Sequence, residues 1–415
     1  MYDFKEIVEN REFLENNLRI RDSSISFDEL IELINLRSEK LKNYESLRAE
    51  VNLNNKKAGI VYDDQRNHLK KLGNLSKSIK DDLKNIESKL YEKIIALPNI
   101  VGPKTPISAN KEDSIIEKVC GQKPVFSFTP KNHYDLCKSL DILDMERGVK
   151  LAESGFPIYK GKGAVLEWAL LTFMINHSVN NGFTFYLPPF FNNTKSLVSS
   201  GNLPKFAEEI YSCVNDDLHA IPTAEVPLTN LFRDEVLSEK NLPMHMIAYS
   251  PCFRREAGGY GKKTRGLLRL HQFNKVESYS ICKPEDSSHE LELLVDNATK
   301  IMEKLNLHFR VANLPSCDIA QQSSQTYDIE AWLPADGIYS EVSSASNCLS
   351  YQAKRANIKF KTPSGTNFVH TLNASALATP RLFIALVESN QTHDGNIVIP
   401  SALRQYTGFD IITPE

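Results

Sequence analysis

The chain has 415 residues, 41% of them hydrophobic, enough to bury the cores of two or three domains. Its formal net charge of -3 excludes a global basic field, so any contact with nucleic acid must come from a local patch. The acidic start MYDFKEIVENREFLENN has no signal-like apolar core, and no apolar run reaches the roughly 18 residues of a membrane span, so a cytoplasmic protein is expected, with no membrane partner. The 7 cysteines are scattered and odd in number, without a C-x-x-C pair, which points to reduced thiols and no zinc site.

Residues 28–97 carry two apolar stripes. Leu30, Ile34, Leu41, Tyr44, Leu47 and Val51 form the first; Leu72, Leu75, Ile79, Leu83, Ile86, Leu90 and Ile94 form the second, at heptad-like spacing. A polar segment containing Gly59 separates them, so the spacing predicts an antiparallel coiled-coil hairpin. About 30 helical residues would project roughly 45 Å. Charges nearly balance along it except at the tip, where Lys56, Lys57, Arg66, Lys70 and Lys71 gather. A solvated dimerisation hairpin and an arm reaching for a large partner both fit these features. VGPKTPISAN reads as the linker, which divides the chain into 1–105 and 106–415.

From about residue 110 the pattern is mixed. NHYDLCKSLDILDMERG reads as a helix ending at Gly148; a strand, a glycine turn, an apolar helix over 164–180 and a strand broken by Pro188 and Pro189 follow. Thr223, Ala224 and Glu225 lie between two prolines in what reads as a loop with a buried strand. Residues 246–277 read as strand, Gly- and Lys-rich loop, strand, with alternation from Leu267 to Val276. Arg254, Arg255, Arg265 and Arg269 offer bidentate donors to phosphate or carboxylate, and Glu256 and Glu277 can accept from an amine. The plain alternative is a solvated charged hairpin. Beyond it come a helix over 286–306 capped by Asp286 or a neighbouring serine, and two alternating strands flanking the turn 335–337. FVHTLNASALATPRLFIALVESNQ reads as a strand, a small-residue turn and an amphipathic helix.

The order F-R-x-E-A-G, T-R-G-L and R-x-H-Q-F-x-K-V-E, carried by Phe253, Arg254, Glu256, Ala257, Gly258, Thr264, Arg265, Gly266, Leu267, Arg269, His271, Gln272, Phe273, Lys275, Val276 and Glu277, resembles motif 2 of the class II aminoacyl-tRNA synthetases in its seryl form. Residues 164–189 resemble motif 1, and SGNLPKF, E-V-S-S-x-S-N, Y-Q-A-x-R-A-N-I and DGNIVIPSALRQYTG also match that family. The resemblance implies an α+β fold: an antiparallel β-sheet catalytic domain flanked by helices, preceded by the antiparallel α-helical coiled-coil arm. It implies ATP, L-serine and tRNA(Ser) as substrates, the arm meeting the tRNA, and a homodimer built on motif 1. It places ATP on Arg254, Arg255, Glu256, Leu270, Phe273, Glu341, Val342, Ser343, Ser344 and Arg381, with Arg254 on the α-phosphate and Arg381 on the γ-phosphate. It places serine on Thr223, Ala224, Glu225, Arg254, Arg269, Glu277, Asn373 and Ser375, and Mg2+ on Glu341 and Ser344. Arg254, Glu256, Glu341 and Arg381 would carry the chemistry. A related ligase that loads a carrier protein would lack the arm; a silent homologue would lack reason to keep these side chains. The chain departs from the family where its usual glycines are Ala374, Ala376 and Pro380; the helix either begins close to Pro380 or is kinked there, and the first is expected because every functional side chain survives.

Overall fold

The computed structural model describes residues 2–56, 63–257 and 266–414, without the side chains of 54–56 and 63–66. Of the residues singled out above, Lys57, Gly59, Gly258, Thr264, Arg265 and the side chains of Lys56 and Arg66 lie outside the described ones. Contacts divide the chain into two units, meeting at Ile100 and Val101.

In the first unit, α1 (Phe4–Glu9) and α2 (Arg11–Arg19) precede the long α3 (Asp28–Lys56) and α4 (Asp63–Ala96). Asp3 starts α1 with a capping box completed by Glu6. The base of the hairpin is a closed apolar cluster in which Ile7, Leu14, Leu18 and Phe27 pack on Leu30, Ile34, Ile86, Leu90 and Ile94. Ion pairs Lys93–Glu29 (2.6 Å) at the base and, farther out, Arg37–Glu87 (2.8 Å) and Lys40–Asp82 (2.7 Å) flank the seam. Leu75 departs from the expected stripe and is 50% exposed. Heptad spacing back from Ile79 runs through Ser76 and Leu72, which leaves position 75 on the outer face.

The second unit is built on an eight-stranded sheet. Its strands, in chain order, are β1 (Ile115–Cys120), β2 (Thr184–Tyr186), β3 (Met244–Phe253), β4 (Gln272–Cys282), β5 (Phe309–Asn313), β6 (Gln325–Leu333), β7 (Ile338–Asn347) and β8 (His370–Ala378). They lie in the spatial order β1-β5-β6-β7-β8-β4-β3-β2 and pair antiparallel, except that β2 runs parallel to β3 at one edge. At the other edge, β1 bulges at Glu117, so Ile116 faces Ala312 while Lys118 faces Val311. Its helices include α5 (His133–Ser139), α6 (Met145–Ala152), α7 (Lys162–Asn180), α8 (Glu225–Asn230), α9 (Ser287–Lys304), α10 (Tyr351–Ala356) and α11 (Thr379–Ser389). The main core joins α7, α9 and α11 to the sheet through Leu170, Met174, Leu294, Ile301, Phe383 and Leu386.

Three sequence expectations change. The single helix over 132–148 is two helices, because Asp141 turns into the left-handed region at φ 54° and Asp144 caps α6 by accepting from the Arg147 N–H at 2.8 Å. α6 continues past Gly148, where a Cβ would lie 2.0 Å from the Phe156 carbonyl oxygen. The Thr223-Ala224-Glu225 stretch opens α8 rather than a strand, with Pro227 in the first turn, where its missing N–H costs nothing. The return leg of the motif 2 hairpin becomes a strand only at Gln272, residues 266–271 being turn and bend.

α7 reaches the sheet through a buried carboxylate. Glu167 Oε1 accepts from Thr379 Oγ1 (2.5 Å) and Asn274 Nδ2 (3.0 Å), while Oε2 has no partner among the described residues. Burial pushes this carboxyl up to about 7, against the ordinary 4.5. The folded protein holds the proton more tightly than the unfolded chain, so stability falls as pH rises from about 4.5 through about 7. Glu167→Gln is therefore expected to gain roughly 2–3 kcal/mol at pH 8 and little at pH 5, read from urea midpoints at both. An equal change at both pH values would refute a buried proton at this position.

Candidate active site

A cavity of about 970 Å³ opens over the face formed by β3, β4, β7 and β8, with the start of α11 at its rim. Its lining brings together Thr223, Glu225, Arg254, Glu256, Arg269, Leu270, Phe273, Glu277, Glu341, Val342, Ser344, Asn373, Ser375 and Arg381. Ala224 is instead buried in an apolar cluster beneath, Ser343 turns away to donate to the Ser375 carbonyl at 2.5 Å, and Arg255 is exposed outside the lining.

One end is wide and cationic. Arg254 stacks on Phe273, its guanidinium carbon 5.2 Å from the ring centre, at the point where β3 ends. Arg269 Nε donates to Glu256 Oε2, and Glu256 holds the left-handed conformation at φ 50°. Across the cavity, Arg381 Nη1 donates to both Glu341 Oε2 and the Glu341 carbonyl at 2.9 Å. Ala374 and Ala376 are absent from the positive-φ residues, so alanine carries no backbone penalty where the family has glycine; the left-handed residue is Leu377, at φ 84°. Pro380 falls in the first turn of α11, so the helix starts where expected and Arg381 follows unkinked.

The other end is narrow and dry. Glu277 is 1% exposed and forms an ion pair with Lys275 while accepting from Thr223 Oγ1 at 3.2 Å. Glu225 Oε1 accepts from Gln352 Nε2 (2.6 Å) and Asn373 Nδ2 (3.1 Å). Burial first, and the charge of Glu277 second, push the Glu225 carboxyl up to about 7, with Lys275 and Gln352 opposing. The result is a buried cluster of two carboxylates, one ammonium, two amides and a hydroxyl at this end of the cavity.

Sequence reasoning gave no role to Lys275, Gln352 or Asp328. Lys275 was visible in the K-V-E run, where period-two alternation puts it on the face of Glu277. Asp328 stands directly across from Ser344 in the β6–β7 ladder, and its Oδ1 has no hydrogen-bond partner among the described residues. Glu341, Ser344 and Asp328 thus supply hard oxygen donors on one face, a donor set suited to a divalent cation.

Comparison with known proteins gives the family. Residues 1–101 match the model for the seryl-tRNA synthetase N-terminal domain, and residues 210–390 match the tRNA synthetase class II core domain (G, H, P, S and T). A serine--tRNA ligase of Dehalococcoides mccartyi is 42% identical over 415 residues, covering 99% of this chain and 100% of that protein. The chain belongs to the seryl-tRNA synthetase family. A second family member, from Chloroherpeton thalassium, is 43% identical over 427 residues, covering 99% of this chain and all of that one. Among solved structures, the seryl-tRNA synthetase of Pyrococcus horikoshii complexed with ATP superposes with a TM-score of 0.92 at 32% identity, each chain covered in full. The cytoplasmic enzyme of Naegleria fowleri in complex with AMP gives 0.86 at 25% identity, covering 99% of this chain and 98% of that one. As a family member the chain is a class II aminoacyl-tRNA synthetase, with the antiparallel sheet of that class and the N-terminal helical region of the seryl family.

Proposed function

We propose that the cavity activates L-serine with ATP and passes the seryl group to tRNA(Ser), with ATP in the cationic end and serine in the dry end. The carrying observation is that one cavity holds Arg254 stacked on Phe273, with Arg269 and Arg381, beside a buried Glu277–Lys275–Thr223 cluster. The serine carboxylate attacks the α-phosphorus; an O–P bond forms, the bond to pyrophosphate breaks, and pyrophosphate leaves with the electron pair. In the second step a ribose hydroxyl at the tRNA 3' end attacks the acyl carbon, loses its proton, and AMP leaves. Positioning and charge neutralisation supply the catalysis. Arg254 holds the α-phosphate with the adenine stacked on Phe273, and Arg381 turns to the γ-phosphate. Arg269 receives the serine carboxylate. Glu277 and Thr223 meet the ammonium, and Glu225 and Asn373 border the side-chain hydroxyl with Ser375. Glu341, Ser344 and Asp328 would hold Mg2+, which neutralises phosphate charge when bound.

The arm and linker, residues 1–105, serve as the tRNA-binding domain, and 106–415 as the catalytic domain. Where tRNA is charged implies a cytoplasmic location. Trp168 (60% exposed), Leu187 (68%) and Phe191 (50%), on and just beyond the motif 1 helix and edge strand, support a homodimer through this face. Sedimentation at twice 46.9 kDa is expected for the wild type and at the single-chain mass for Trp168→Glu; a wild-type monomer at micromolar concentration would rule the dimer out. The test of the activity is pyrophosphate exchange into ATP without tRNA, where serine alone among serine, alanine, threonine and cysteine should support strong turnover. A missing hydroxyl leaves buried polar groups unpaired, so alanine should fail outright; exchange with none of the four would overturn the reading.

A further inference from the structure

One buried carboxylate joins the three elements that carry the nucleotide-facing side chains. Glu388, fully buried two turns along α11 from Arg381, accepts on Oε1 from the His133 backbone N–H (2.9 Å) and lies 3.2 Å from His133 Nδ1. Its Oε2 accepts from the Ala335 N–H at 3.2 Å, in the turn that leads into β7 and Glu341. The other ring nitrogen of His133 faces the motif 2 return leg, Nε2 accepting from the Leu267 N–H at 3.2 Å. That contact assigns the tautomer: Nε2 is the acceptor, so the proton is on Nδ1, directed at Glu388. The ring is buried, with side-chain exposure of 6%.

Gly266 fits against the same atom. It sits at φ 81°, and a Cβ there would lie 2.2 Å from His133 Nε2. The glycine therefore lets the return leg close onto the imidazole. From that closure follow the positions of Leu267, Leu268, Arg269 and Leu270, all of which line the cavity.

We propose that His133 is a positioning residue for the return leg: oriented by Glu388, its Nε2 pins residues 266–271 at the height at which Leu270 and Phe273 meet the nucleotide and Arg269 meets the serine carboxylate. It touches no substrate itself. The other groups of the serine pocket, Lys275, Glu277, Thr223 and Glu225, do not use this contact, so serine responds to its loss through Arg269 alone and ATP through the rest of the leg.

This inference rests on the ATP-activating reading, and the same exchange assay separates them. If wild type exchanges with no amino acid, the activity has failed; if wild type exchanges with serine, His133 can be tested. His133→Leu keeps the volume but removes the acceptor, and should raise the KM for ATP by about fivefold to tenfold, as for one lost buried hydrogen bond. The KM for serine should rise by less than that for ATP, because only Arg269 links serine to this leg. His133→Gln places a carbonyl oxygen where Nε2 lies and should recover most of the ATP affinity. Backbone hydrogen exchange of the peptide containing 266–271 should speed up in the leucine variant and not in the glutamine one. If His133→Leu does not fold, Gly266→Ala pushes on the same contact from the loop side and should raise the KM for ATP likewise. Equal behaviour of the leucine and glutamine variants, or an unchanged KM for ATP in both His133→Leu and Gly266→Ala, would overturn the proposal.

Discussion

Glu277→Gln is expected to reduce serine-dependent exchange about a thousandfold or more and to cost roughly 3–5 kcal/mol of stability. Both effects come from one carboxylate. It pairs with the buried Lys275 ammonium and accepts from Thr223, and it is the carboxylate proposed to meet the serine ammonium. An amide there leaves Lys275 as an uncompensated buried charge, which is what makes removal of a single partner so costly. The double variant Lys275→Met with Glu277→Gln separates the two: it should regain most of the urea midpoint, since neither charge remains, and none of the exchange. A double variant that recovers activity would show that Glu277 matters only as the counter-ion of Lys275.

Arg381→Ala should behave in the opposite way. Its guanidinium is 36% exposed and paired with Glu341, itself 45% exposed, so the pair adds at most about 1 kcal/mol to stability. Its proposed work is on the γ-phosphate of the leaving pyrophosphate, where loss of one preorganised charge costs roughly a hundredfold to a thousandfold in turnover. The expected result is a folded variant with an unchanged melting transition and exchange reduced by that factor. Near-normal exchange would remove Arg381 from the chemistry.

The parts of this molecule that were legible in the sequence are those set by local spacing. The heptads of α3 and α4, the alternation of β6 and β7, and the order of types from Phe253 to Glu277 each place side chains on a face without reference to anything distant. What escaped was decided elsewhere in the chain. α1 and α2 are short and have meaning only as the closure of the coiled-coil base. The break between α5 and α6 depends on aspartates whose side chains prefer turns and caps to a helix interior, a signal present in the sequence but outweighed there by apolar periodicity. His133 and Glu388 are 255 residues apart, and Asp328 meets Ser344 only once two strands are in register. No spacing rule reaches such pairs.

The two edges of the large sheet bear on how the chain avoids its own copies while folding. A sheet of eight strands ends in two rows of unpaired backbone donors and acceptors, each a template for another chain. On one side, the bulge at Glu117 throws the outer ladder out of phase, and Lys118 stands beside it. On the other, Pro188 and Pro189 follow β2 two residues after its last paired position, Tyr186, and cannot donate to a ninth strand. Runaway strand addition, the route by which β-rich intermediates aggregate, is therefore blocked at both ends by backbone geometry, independently of how strong the core is.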